Sequence, residues 1–176
     1  MSRAMYSAGT TAPFVAAAGA AMFFVITGSP SKKITVCHVK ITGLTLTAVA
    51  YVGVAVEKWS TAPTGGTPVL LVKVPYNGDY PAATASLVQV YTAAPTEGVL
   101  VGTLHNRRLL GQATTAAAAG QPIPPESFDF GDMVAHHHLR DSGVVLRDQT
   151  EALSLAFQAA PASAVTMDLE VDWVEE

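Results

Sequence analysis

The most conspicuous polar cluster in the chain is His136-His137-His138. Histidine is the commonest metal ligand, and its charge changes near neutral pH. Adjacent residues of an extended segment diverge, however, whereas a metal site needs converging ligands. The triplet therefore reads as a solvated or interface loop. One sharper option exists: in a symmetric oligomer, one histidine per chain would meet its copies on the axis and share a metal or a pH switch. Asp129, Asp132 and Asp141 surround the triplet without the spacing of a calcium loop. Asp168, Glu170 and Asp172 resemble paired catalytic carboxylates until their period is considered. They alternate with Val165, Met167, Leu169, Val171 and Trp173, so they form an acidic stripe on the polar face of a half-buried strand. Such a stripe faces solvent or a partner and discourages edge pairing. Cys37 and His38 are neighbours, which puts them on opposite faces of a strand, and Cys37 reads as a small buried hydrophobe. No G-x-S-x-G elbow, P-loop or G-x-G-x-x-G is present, and no nucleophile, base and orienting group assemble from the sequence. Neither an enzyme nor a cofactor is expected. Trp59, Tyr76, Tyr80 and Tyr91 lie near loops, where aromatic rings would stack on sugars, so a carbohydrate-binding module is one alternative.

The elements that position these residues are strands. Residues 21–59 hold runs rich in Val, Ile, Thr and Phe, divided by two turn signals, Gly28-Ser29-Pro30-Ser31 and Gly43-Leu44. They predict three successive antiparallel strands, a meander forming the spine of the fold. Leu44, Leu46, Ala48, Ala50, Val52, Val54 and Val56 fall on one face of the third strand, with a bend expected near Gly53. Further strand patterns cover residues 69–74, 82–92, 99–110, 127–130, 144–146, 150–158 and 165–173. Asn77-Gly78 is the strongest turn dipeptide. Irregular insertions are expected near 111–126 and 131–143. Many short strands with Gly/Pro turns predict an all-β fold, an antiparallel β-sandwich that is jelly-roll-like, in a single domain over 21–176. Residues 1–20 have no clean period and are rich in small residues. They read as an extended N-terminal arm lying on a neighbouring subunit, whose removal would leave the β-fold intact.

At 176 residues the chain buries a sizeable core without disulfides, and its single cysteine excludes an intrachain disulfide. Charged residues are 14% of the chain, against roughly 25% in ordinary soluble domains. So little charge has two readings: part of the surface is covered by other chains, or the chain carries the Ala-rich composition of a GC-rich genome. Net charge is −4, and the only basic pairs are Lys32-Lys33 and Arg107-Arg108, which argues against nucleic-acid binding. The apolar run 12–26 is broken by Pro13 and Gly19 and is too short to span a membrane. Arg3 and the Ala-rich run look somewhat like a signal peptide, but the run passes straight into the strand Phe23-Phe24-Val25-Ile26.

The block FFVITGSPSKKITVCHVKITG, then VAVEKWSTAPTGGTP, the segment Asp79-Tyr80-Pro81-Ala82-Ala83-Thr84-Ala85, VQVYTAAPTEGVLVGTL and the closing VVLRDQTEALSLAFQ and MDLEVDWVEE resemble a family of small structural proteins encoded by tailed bacteriophages. The resemblance covers residues 20–176, and the histidine insertion fits it least. It implies a virion component without enzymatic activity, made in the host cytoplasm. The reading it favours is a head decoration (cement) protein on the capsid exterior, a homotrimer bound to the major capsid protein. A neck, tail or fibre protein is the alternative. On this reading Met5, Tyr6 and Phe14 of the arm, with Tyr51, Glu57 and Trp59, would make the inter-subunit contacts.

Overall fold

The computed structural model describes residues 3–19, 21–114, 125–130 and 143–176. Both the His136-His137-His138 triplet and Asp132 and Asp141 lie outside the described residues, as do most of the two expected insertions. Among the described residues the chain is all strand and turn, with no helix and so none long and apolar enough to cross a membrane.

The strands are β1 (Ala4–Gly9), β2 (Phe14–Val15), β3 (Met22–Thr27), β4 (Ile34–Leu46), β5 (Ala50–Trp59), β6 (Thr67–Leu70), β7 (Val72–Pro75), β8 (Val88–Ala93), β9 (Leu100–Ala113), β10 (Glu126–Asp129), β11 (Val144–Leu146), β12 (Ala152–Phe157) and β13 (Thr166–Glu175). They form one mixed sheet in the order β6-β8-β3-β12-β5-β9-β4-β13-β1-β7, with β10 and β11 added to β4 and β2 to β13. All pairings are antiparallel except the short one between β4 and the end of β9. The two ends of this path, β6 and β7, are one stretch of chain bent at Leu71. Its first half pairs with β8 and its second with β1. The sheet is thereby nearly closed into a barrel, which leaves few unpaired edges. Leu71 is buried at the bend, and its N–H donates to Val88 O at 2.9 Å.

Apolar alternation fixes which faces turn inward. Met167, Leu169, Val171 and Trp173 of β13 meet Ile34, Val36, Val39, Ile41 of β4 and Phe24, Ile26, Leu153, Leu155 and Phe157 from the opposite half in one core. Phe23 and Phe157 rings lie 4.5 Å apart, and Tyr6 stacks on Trp173 at 5.8 Å. Strands β3 and β12 are buried throughout, because a second cluster covers their other face: Trp59 and Tyr91 with Met22, Val25, Ala17, Ala152 and Ala156.

Several expectations are corrected. Residues 4–9 are no arm: β1 is an interior strand between β13 and β7, and Ala4, Tyr6 and Ala8 point into the core. Phe14 is buried beside them. The three strands of 21–59 do not form a meander. β3 and β5 both pair with β12, while β4 lies in the other half beside β13. Each connection therefore crosses the core, which lets three consecutive apolar strands line it from both sides. Gly43-Leu44 is not a turn either. β4 runs through it, and Gly43, at φ +63°, is the extra residue of a β-bulge facing β13. The chain reverses at 47–49 instead, so Ala48 is exposed rather than inward. The strand expected over 82–92 is confined to Val88–Ala93.

Candidate functional site

Among the described residues, the outer face of β10, β4, β13, β1 and β7 carries a dense set of polar side chains, and the register sets it out in rows. Val74, Ser7, Asp172, His38 and Asp129 are successive cross-strand partners, and so are Val72, Gly9, Glu170, Lys40 and Ser127. Asp168 faces Thr42 in the same register, and the Gly43 bulge shifts it only beyond that pair, where Thr166 faces Thr45. The acidic stripe expected on β13 is thus matched by His38 and Lys40 from β4, with Lys40 Nζ 3.9 Å from Glu170.

At the upper row His38 is the hub. Its Nδ1 lies 3.3 Å from Asp172 Oδ2, and its Nε2 lies 3.2 Å from Ser127 Oγ and 3.4 Å from Asp129 Oδ1. Tyr76 Oη donates to the other Asp172 oxygen at 3.0 Å. Ser127, His38 and Asp172 stand in the order of a serine-hydrolase relay, a grouping that residues so distant in the sequence did not announce. The Asp129 carboxylate shares the Nε2 nitrogen with the hydroxyl, and Arg107 Nη1 donates to the Ser127 carbonyl at 2.7 Å. The cluster ties β10 to β4 and β13. Burial, followed by the hydrogen bond to Asp172, pushes the Tyr76 phenol up to about 12, so it stays a neutral donor.

Beside this hub lies a cleft of about 230 Å³, lined by Ser7, Gly9, Thr10, Lys40, Thr42 and Asp168 with Leu169 and Glu170. It exists because β1 presents its smallest residues here. A Cβ on Gly9 would sit 3.3 Å from Leu169 O and fill the floor. Thr10 Oγ1 accepts from Leu169 N–H at 3.1 Å and donates to Asp168 Oδ1 at 3.3 Å.

Cys37 is the residue at the second β4–β13 irregularity and is buried. Burial, reinforced by the Asp172 charge, pushes its thiol up to about 11. It is a thiol at neutral pH and no nucleophile. Iodoacetamide at pH 8 is expected to leave it unmodified in the folded chain and to alkylate it after denaturation. Because the unfolded thiol ionises near its ordinary value and the folded one does so later, stability is expected to fall as pH rises from about 9 to about 11. A Cys37→Ala variant should lose that part of the alkaline slope.

Of the interface residues expected from sequence, Tyr6, Phe14 and Trp59 are spent on the chain's own core. Trp59 Nε1 donates to Ser154 Oγ at 2.8 Å, which also removes Trp59 as a sugar platform. Met5 and Glu57 are half-buried, and Tyr51 is 67% exposed with Arg108 over its ring. Among the aromatics near loops, Tyr91 is buried, Tyr80 packs against Tyr6, and Tyr76 is 58% exposed. No group of three or more His, Cys, Asp or Glu is placed to hold a metal among the described residues.

Large exposed apolar residues gather in two strips. One is Val69, Leu70, Val72, Val74 and Tyr76 along β6 and β7, and the other is Val99, Leu100, Val101 and Leu104 entering β9. The β9 strip is shaped by two irregularities against β5, which leave Val101 and Leu104 as extra residues. Bulges re-aim side chains, and here the re-aimed ones are apolar and exposed. Comparison of the chain with protein-family models, curated proteins and solved structures finds no match.

Proposed function

We propose that this chain is a structural protein of a bacteriophage virion, a head decoration protein that binds the major capsid protein and has no catalytic activity. On this reading the near-closed sheet is a flattened, jelly-roll-like sandwich. Three copies group at each local three-fold position of the shell, where symmetry covers apolar surface. The observation that carries the reading is the β9 strip. Val99 and Val101 are each 63% exposed on a chain with little charge, and nothing among the described residues covers them. One such strip gives a weak contact; repeated over a shell, it gives a firm one through avidity.

The test mixes purified protein with undecorated shells and counts bound copies by electron cryo-microscopy. Hundreds per particle are expected. A handful at one vertex would make it a neck or tail protein instead, and none would end the virion reading. The double variant Val101→Asp, Leu104→Asp alters only exposed side chains, so its stability should stay within about 1 kcal/mol of the parent. Its shell occupancy should fall at least roughly tenfold, because each contact would now bury an unpaired carboxylate.

A further inference from the structure

An open strand edge leaves a row of N–H and C=O groups unpaired, and such a row accepts a strand from another chain unless it is blunted. Among the described residues, the open edges of β6, β7, β10 and β11 are blunted or capped. In β6, Leu71 N–H donates to Val88 O, so the alternation turns the Pro68 nitrogen away from β8 and onto the open edge. In β7, Tyr76 N–H donates to Met5 O, which turns the Pro75 nitrogen away from β1 in the same way. Arg107 Nη1 caps β10 by donating to Ser127 O at 2.7 Å, and Lys58 Nζ caps β11 by donating to Val145 O at 3.0 Å.

Strand β9 differs. It pairs with β5 from Leu100 to Gly111, whereas its other edge meets β4 only at Gln112 and Ala113. The stretch Leu100-Val101-Gly102-Thr103-Leu104-His105-Asn106 holds no proline and no Asp, Glu, Lys or Arg to discourage pairing. Every residue in it is exposed except Gly102, which is half-buried. Its two bulges would normally help to blunt an edge, but the extra residues they leave are the apolar Val101 and Leu104. The stretch is as long as an ordinary strand, about 5–6 residues.

We propose that β9 is a docking edge, on which an extended segment of the major capsid protein adds as a further strand beside Leu100–Asn106. The inference rests on the virion reading above and states how the β9 strip is used. The occupant is a peptide run of about 5–6 residues whose backbone pairs with the open row. Its side chains are apolar at alternate positions, to meet Leu100, Val101 and Leu104. A carboxylate follows at the end that reaches Arg108, whose guanidinium lies over the Tyr51 ring at 5.9 Å. Backbone hydrogen bonds hold such a segment, and the alternate side chains select it. The prolines of β6 and β7 then have a counterpart in function: they confine strand addition to one edge of the molecule.

The experiment binds the full chain to undecorated shells and reads the contact by electron cryo-microscopy. Continuous extended density from the shell protein is expected about 4.8 Å from β9, the spacing of a paired strand. The variant that tests it is Asn106→Pro. Gly53 O accepts from Gln158 N–H on the β12 side, so by alternation Ala55 also turns its polar groups to β12, and its β9 partner Asn106 keeps its N–H outward. Proline there removes no bond to β5 and holds an incoming backbone off. Its urea midpoint should stay near the parent's, and its shell occupancy should fall at least roughly tenfold through the lost backbone bonds. Leu70→Pro, on the β6 edge that Pro68 already blunts, should leave occupancy unchanged. If Asn106→Pro does not fold, the density along β9 decides alone. Strand addition is overturned, and the virion reading left standing, if shells bind the parent with only side chains or a second copy of this chain against β9, or bind Asn106→Pro as well as the parent. Failure of the parent to bind shells at all would end the virion reading and this inference with it.

Discussion

Deleting residues 1–20 is expected to abolish cooperative folding. The segment supplies β1, which pairs along its whole length with β13 and on its other edge with β7. It also supplies Tyr6, fully buried, stacked on Trp173, and donating its phenol proton to Pro81 O at 2.9 Å. Truncating one buried aromatic side chain costs about 3–5 kcal/mol. The deletion removes Tyr6 and Phe14, the buried alanines Ala4, Ala8, Ala16 and Ala17, and three ladders, β1 with β13 and β7 and β2 with β13. A whole domain commonly has only about 5–15 kcal/mol of stability. The deletion therefore exceeds the margin, and it also strips β7 of its strand partner, so the sheet opens where it was closed. Circular dichroism during urea unfolding should show no sigmoidal transition for the truncated chain. Tyr6→Ala alone should keep a transition displaced by about 3–5 kcal/mol. A truncated chain that unfolds at the parent's midpoint would restore the picture of a detachable arm.

The contrast between β1 and β13 explains what the sequence discloses and what it hides. In β13 the alternation joins Met, Leu, Val and Trp to Asp and Glu, and every inward residue it predicts is buried. In β1 the same period joins Ala4, Tyr6 and Ala8 to Met5, Ser7 and Gly9. Small residues give almost no hydropathy contrast, so a core strand looks like a loose arm. The smallness has a use: it opens the cleft beside Asp168. Local chemistry misleads at Gly43 as well, where the left-handed backbone that signals a turn serves a bulge instead. Strand neighbours are the least legible level. Each of the strands β3, β4 and β5 is recognisable alone, but their partners lie far along the chain, β12 and β13 above all. The His38 hub belongs to that level, since Ser127, His38 and Asp172 come from β10, β4 and β13 and meet only through register. The exposed strips show the same limit from the other side. Val99 to Leu104 read as part of a strand, and only the structure shows that Val99, Leu100, Val101 and Leu104 are left in solvent.

Glu175→Gln should be among the most damaging single substitutions of a polar residue. Glu175 continues the inward period of Val171 and Trp173, and its side chain is fully buried. The carboxylate survives there because donors surround it. Thr84 N–H reaches its two oxygens at 2.8 and 3.0 Å, Thr84 Oγ1 donates at 2.7 Å, Ala85 N–H at 3.1 Å and Trp173 Nε1 at 3.1 Å. Lys32 Nζ stands 3.8 Å away. The carboxylate thereby holds the loop before β8 against the end of β13. Glutamine keeps the shape but turns one acceptor into a donor facing other donors. At least one of these N–H groups is then left buried and unpaired, and the remaining bonds lose their charge. Hydrogen bonds to a charged group are worth about 1.5–3 kcal/mol, and an orphaned buried donor costs about 1–3 more, so a loss of about 3–5 kcal/mol is expected. For a chain of this size that lowers Tm by roughly 6–20 °C. Glu170→Gln, on the partly exposed face of the same strand, should change stability by less than about 0.5 kcal/mol. Hydrogen exchange adds a local readout, because the Thr84 and Ala85 amides should exchange faster in Glu175→Gln and not in Glu170→Gln. Equal stability of the two variants would mean that the loop is held by its apolar contacts and not by the carboxylate.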